Sequence, residues 1–449
     1  MKITFHGGAG SVTGSNYLIE AKDGTKILVD CGMQQGSRFA ERQNFEPFPY
    51  APKDIAAVFI THAHIDHIGR LPKLAHDGFE GAVYSTPPTK DFAELLLLDS
   101  EHIMMKEAER EGHAPLYNAE DVHTLMKFWH NQHYHEPRAV GPFRITLFDA
   151  GHILGSATVL IEADGTSAVF SGDLGNYPAP IIHTTEELPE SDYCVIESTY
   201  GDRVHEGFAE REEQLEDVIE DTVKKKGVLL IPAFAMERTQ DLLYHLNDLV
   251  EHGRIPKVPI FIDSPLAIKL SAVYKKYEDY FNKETHDIVK SGDDILNFPG
   301  LRLTLTSEQS KEINDVPAPK IIIAGSGMSH GGRILFHEAR YLPDPKTTLL
   351  FVGYQGQGSL GRRLLDGAES VRIMGAEIPV RCERRSISGY SAHADQPRLL
   401  HWLSPRRSRL KKVFVVQGEG ESSTALAGKI RDDLALAAMV PKAHESVVL

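Results

Sequence analysis

One apolar run constrains this chain more than any other feature, because it ends in a crowd of ionisable side chains. Residues 55–61, "IAAVFIT", have the character of a buried strand, and they lead directly into His62-x-His64-x-Asp66-His67. Side chains two apart on an extended chain point the same way, so His62 and His64 can face one ion. Asp66 and His67 then open a helix, and their side chains diverge towards a second point close by. Imidazoles repel one another once protonated, so crowding them needs a reason. Imidazole with carboxylate suits zinc, with manganese and iron as alternatives. The run therefore predicts a metal centre with two foci at the end of a strand.

Other residues complete that set by context. His152 in "DAGHILGSA" and Asp173 in "VFSGDLG" each sit at a strand end before a glycine. A carboxylate such as Asp173 can bridge two cations, which a histidine cannot. Asp30 in "ILVDCG" also ends a strand, and is expected to orient a ligand imidazole by accepting its second N–H.

The surrounding pattern predicts an α/β protein. Short strands with turns between them ("KITFHG", "SNYLIEA", "TKILVDCG") fill the first part, a helical stretch runs from Lys90 to Gln132, and strands return to about residue 199. From about Arg203 the texture becomes β-α-β-α, with "VLLIPAF", "VPIFIDSP" and "KIIIAGSGM" as buried strands between amphipathic helices. That alternation implies a parallel sheet covered on both faces. From Glu377 the chain adds "IPVRCERRSI", a histidine-bearing loop and the strand–helix "KVFVVQGEGESSTALAGKIRDDL".

Composition excludes several classes. The net charge of −15 over 449 residues gives no general field for polyanions, so any nucleic-acid attraction must be local. Cys31, Cys194 and Cys382 lie far apart and are odd in number, which argues against a disulfide framework and favours a reducing cytoplasm. No run is apolar and long enough to span a bilayer, and "MKITFHGGAG" reads as a strand, not a signal peptide.

Asp30, the H-x-H-x-D-H run, His152 and Asp173 together resemble the four ordered motifs of the metallo-β-lactamase fold. "VIESTYGDR" with Glu197, "GYSAHAD" with His393 and "VVQGE" with Gln417 resemble motifs A, B and C of the β-CASP nucleases, nearest to their RNA-processing branch. The resemblance implies an αββα metallo-β-lactamase sandwich, residues 1–203 and 377–449, interrupted by an α/β β-CASP domain at 204–376. It implies a cytoplasmic ribonuclease that cleaves single-stranded RNA through a hydroxide activated by two zinc ions, leaving 3′-hydroxyl and 5′-phosphate ends. The first zinc would take His62, His64, His152 and Asp173; the second Asp66, His67, Asp173 and the motif C residue. Asp66, Glu197 and His393 would be catalytic, Asp66 by orienting the attacking hydroxide and the other two by protonating the leaving oxygen.

The family pattern has histidine at motif C. Glutamine offers only a neutral carbonyl oxygen, so Gln417 implies a weaker second zinc. In "IIIAGSGMSHGGRILF", Ser326, Gly327 and Arg333 form a glycine loop before a helix, suited to a substrate phosphate. Arg238 and the Tyr354–Gln355 segment are weaker candidates for RNA contact. "WHNQHYHEP" reads as a solvated helix end. The basic run "SPRRSRLKK" reads first as a solubility patch, with RNA contact or a homodimer surface as alternatives. The rival functions are a DNA-directed β-CASP nuclease, a small-substrate hydrolase such as a lactonase, and an RNA-binding protein with impaired catalysis.

Overall fold

A computed structural model describes residues 1–36, 38–112, 114–205, 210–353, 355–356 and 358–449. It divides into two compact units: residues 1–179, 183–204 and 393–449 form the first, and residues 180–182 and 205–392 the second.

The first unit contains two seven-stranded sheets among the described residues. In one, Lys2–Gly7, Asn16–Glu20 and Lys26–Val29 run antiparallel, and Ile55–Phe59, Ala82–Ser85 and Trp129–Asn131 continue from Lys26–Val29 in parallel. In the other, the meander Phe143–Asp149, Ala157–Ala163, Thr166–Phe170 is extended in parallel by Tyr193–Ile196 and Lys412–Val415. Alternation along these strands decides the layers. Ile3, Phe5, Ile27 and Val29 from one sheet share a buried core with Ile145, Leu147, Val159, Ile161 and Phe414 from the other. The opposite face of the second sheet, with Leu160, Val169, Cys194 and Ile196, buries against Leu399, Trp402, Leu426 and Ile430 of helices Gln396–Leu403 and Gly420–Leu434. Helices Leu71–His76, Pro87–Glu111 and Ala119–Lys127 belong to the first sheet's side. This is the αββα sandwich. The expected helical stretch stops short of Gln132, since Trp129–Asn131 pairs with Ala82–Ser85 as an edge strand.

Among the described residues, the second unit is built on a six-stranded sheet whose pairings are all parallel, in the order Leu301–Leu303, Ile260–Asp263, Lys320–Ala324, Val228–Pro232, Thr348–Phe351, Glu383–Ser386. Val228–Pro232 and Lys320–Ala324 are buried along their whole length, as strands covered on both faces must be. This unit reaches Ala392, past the change of texture expected at 376/377. The reason is Glu383–Ser386, which registers in parallel on Thr348–Phe351 and so adds the edge of this sheet. Among the described residues, no helix is long and apolar enough to cross a membrane.

Candidate metal centre

In the first unit, ionisable side chains gather where strands end. Asp30 follows Lys26–Val29, His62 and His64 follow Ile55–Phe59, His152 follows Phe143–Asp149, and Asp173 follows Thr166–Phe170. Glu197 follows Tyr193–Ile196 and Gln417 follows Lys412–Val415, while Asp66 and His67 lie on the short helix Ile65–Ile68. The carboxyl ends of parallel strands open towards one side, where loops are free to turn functional groups inward. One glycine is indispensable to the assembly. A Cβ on Gly32 would lie 1.6 Å from the Asp66 carbonyl oxygen. Only bare backbone lets the loop after Asp30 approach that helix, where Ser15 N–H bonds the Asp66 carbonyl at 2.9 Å and Cys31 N–H bonds that of His67 at 2.8 Å.

His62, His64, His152 and Asp173 each present one ligand atom, all within 4.8 Å of one another. His62 Nε2 is 2.9 Å from His64 Nδ1, and His152 Nε2 is 3.2 Å from the same atom. Asp173 Oδ2 lies 3.4 Å from His62 Nε2 and 3.5 Å from His152 Nε2. Four ligands at about 2.0–2.1 Å from a tetrahedral ion stand roughly 3.3 Å apart, and the four separations above, 2.9–3.5 Å, are close to that spacing, so the donor set suits zinc. Burial, with His62 next, holds the His64 pKa well below 6.5, and burial with His393 does the same to His152. Neutral rings keep the lone pairs that a metal needs. Burial would raise the Asp173 pKa, but His67 and His62 outweigh it and keep this carboxylate ionised.

Asp30 supports the cluster from beneath. Fully buried, it accepts hydrogen bonds from Ser15 Oγ (3.0 Å), Thr61 N–H (2.9 Å) and Thr61 Oγ1 (2.9 Å), and lies 2.7 Å from His67 Nδ1. Thr61 Oγ1 is also 3.0 Å from His62 Nδ1, so one hydroxyl connects Asp30 to a ring of the first cluster. Thr61 and Ser15 went unremarked in the sequence because hydroxyls carry no periodic signal. Thr61 stands immediately before the histidine run, and that adjacency was the available clue.

The second focus is different. Asp66 Oδ2 is 3.8 Å from His67 Nε2, and burial raises its pKa. Burial alone would lower the His67 pKa, but Asp173, Asp30 and Asp66 hold it well above 6.5. Gln417 presents Nε2 here, and not the expected carbonyl oxygen, at 2.8 Å from Asp173 Oδ1 and 3.0 Å from His67 Nε2.

Beside both foci, Asp173, Glu197 and His393 form a second group of convergent ligand-type atoms. Glu197 is fully buried; its Oε1 accepts Leu174 N–H at 2.6 Å, and its Oε2 is 3.4 Å from His393 Nδ1. Burial would lower the His393 pKa, but Glu197 foremost, then Asp173 and Asp66, push it up to about 9. The pair thus holds a proton at neutral pH beside the first cluster.

Ser326, Gly327 and Arg333 lie in the second unit. Arg333 is committed to structure: its guanidinium donates to buried Asp263 at 2.7 Å and to the carbonyls of Thr304 and Leu305 at 3.0 and 2.9 Å. The glycine at 327 has a packing reason, since a Cβ would meet the Phe234 ring at 2.8 Å, and Ser326 Oγ accepts the His330 and Gly331 N–H groups. These contacts hold the loop and Arg333 in place within the second unit. Arg238 is buried beside Glu237 and Asp241. Tyr354 lies outside the described residues. The basic run is largely matched by acid: Arg406 is 3.7 Å from Glu190, and Arg409 and Lys411 are 3.5 and 3.2 Å from Asp192.

Comparison with known proteins gives three family matches along the chain. Residues 9–232 match the metallo-beta-lactamase superfamily, 239–364 the Beta-Casp domain, and 377–441 the Zn-dependent metallo-hydrolase RNA specificity domain. The chain is 38% identical to ribonuclease TTHA0252 of Thermus thermophilus, with 96% of each chain covered. It is 32% identical to the transcription termination factor FttA of Pyrococcus abyssi, covering all of this chain and 71% of that one. FttA of Methanosarcina mazei is 30% identical, with 96% and 69% covered. A crystal structure of a protein of unknown function from Enterococcus faecalis shares the fold at a TM-score of 0.53 and 13% identity, covering 100% of this chain and 99% of that one.

Proposed function

The chain belongs to the metallo-β-lactamase superfamily, in its β-CASP branch, and from that premise we propose that it is a zinc-dependent ribonuclease hydrolysing single-stranded RNA. The observation that carries the reading is the convergent set His62, His64, His152 and Asp173 beside the proton-holding pair Glu197–His393. The ribonuclease among its relatives supports RNA as the substrate.

A phosphodiester resists hydrolysis because its charge repels hydroxide and its leaving alkoxide is poor. His62, His64, His152 and Asp173 would hold a zinc ion, which would supply Lewis acidity when bound. The protein's own groups do the rest. Asp66, 3.8 Å from His67 Nε2, orients the attacking water and takes its proton. His393, kept protonated by Glu197, gives a proton to the departing 3′-oxygen as the phosphorus–oxygen bond breaks. General acid assistance of this kind is worth about 10²–10⁴ in rate. The products are a 3′-hydroxyl and a 5′-phosphate. Gln417 Nε2 faces two of the atoms expected to hold a second ion.

The test is turnover of matched single-stranded RNA, single-stranded DNA and duplex substrates by zinc-loaded protein. Faster cleavage of single-stranded RNA supports the reading. Equal or faster cleavage of DNA transfers it to the DNA-directed branch.

A further inference from the structure

Gln417 is held more firmly than a passive replacement needs to be. Its backbone lies in the left-handed region, at φ +49°, with N–H bonded to the Gly8 carbonyl at 2.6 Å and its own carbonyl accepting Thr199 Oγ1 at 3.2 Å. A Cβ on Gly8 would stand 3.2 Å from Gln417 Cγ, so the glutamine stem passes tightly over a residue with no side chain. The side chain is buried, and its amide nitrogen reaches Asp173 Oδ1 at 2.8 Å and His67 Nε2 at 3.0 Å.

A primary amide nitrogen has two N–H donors and no lone pair available for a metal. Here one hydrogen meets a carboxylate oxygen. The amide nitrogen also lies 3.0 Å from His67 Nε2, whose Nδ1 is 2.7 Å from Asp30. Turning the amide over would place its oxygen 2.8 Å from a carboxylate oxygen. The match therefore holds in one orientation, and it engages the two atoms that a second metal would share with Asp66. The second focus does not fit a cation.

We infer that this protein works with one metal ion per chain, and that the Gln417 amide permanently takes the place of the second. The inference rests on the reading of His62, His64, His152 and Asp173 as the metal set. It replaces a weakened second site with none: the amide braces His67 and Asp173 as an ion would, without its charge.

The experiment is a zinc titration of metal-stripped protein, with bound zinc counted per chain by elemental analysis and native mass spectrometry. RNA cleavage is measured on the same samples. Wild type is expected to plateau at one zinc and Gln417→His at two. Cobalt substitution should give a single-ion signal in wild type and a coupled pair in the variant. If Gln417→His does not fold, Gln417→Glu, which also offers a ligand atom, is expected to reach two. A wild-type plateau at two overturns the inference, whether or not RNA is cleaved. So does a folded Gln417→His protein that stays at one. A plateau at one with no RNA cleavage leaves the inference standing and removes the ribonuclease reading, while a plateau at zero removes both.

Discussion

Replacing Glu197 with glutamine should move the pH dependence of the reaction without disturbing the metal. The substitution keeps the shape and the acceptor for Leu174 N–H, 2.6 Å away, but removes the charge 3.4 Å from His393 Nδ1. Glu197 is the foremost of the groups that lift the His393 pKa from 6.5 to about 9 against burial. Without it burial is opposed only by Asp173 and Asp66, so the pKa should fall from about 9; a fall to the ordinary 6.5 would correspond to roughly 3 kcal/mol. His393 acts as an acid, so activity is present below its pKa and lost as pH rises through it. At pH 8 a fall to 6.5 would drop the protonated fraction from about 0.9 to about 0.03, a loss of about 30-fold in kcat/KM. At pH 6 the two proteins should agree within about 1.5-fold. The assay is a pH–rate profile on labelled single-stranded RNA at saturating zinc, with metal content measured beside it. A uniform loss at every pH, with the alkaline limb unmoved, would refute the assignment of the proton to this pair.

Three further outcomes are expected. Chelation should abolish RNA hydrolysis and zinc should restore it, whereas His62→Ala should lose both metal and activity, read by elemental analysis and turnover. Asp30→Asn weakens the support that reaches His62 through Thr61, and should lower zinc affinity by about 10–100-fold in a competition titration with a chromophoric chelator. Arg333→Ala leaves the fully buried Asp263 without its guanidinium; a loss on the order of 3 kcal/mol in thermal or denaturant unfolding is expected, with RNA affinity little changed.

The sandwich and the first cluster were legible because they are written in local rules. Alternation placed Ile145 and Leu147 inward, and the spacing of His62 and His64 put two rings on one side of an extended chain. His152 and Asp173 could be joined to them only through the order of motifs, since nothing local says that four strand ends converge. Arg333 is the opposite case. A glycine loop with arginine before a helix resembles a phosphate cradle, but its partner Asp263 lies seventy positions away in sequence. The end of the second unit was equally hidden, because a parallel strand such as Glu383–Ser386 carries no mark of which sheet it will join. Gln417 was visible as a departure, but which end of its amide faces His67 depends on contacts that no spacing encodes.

The most direct measurement is a single turnover of a defined single-stranded RNA in water enriched in oxygen-18, with both product ends read by mass spectrometry. Attack by water in this site should place one heavy oxygen on the new 5′-phosphate and leave an unlabelled 3′-hydroxyl, with cleavage absent from His62→Ala. A 2′,3′-cyclic phosphate carrying no heavy oxygen would make the RNA's own 2′-hydroxyl the nucleophile, and would contradict the water-activating role given to this centre.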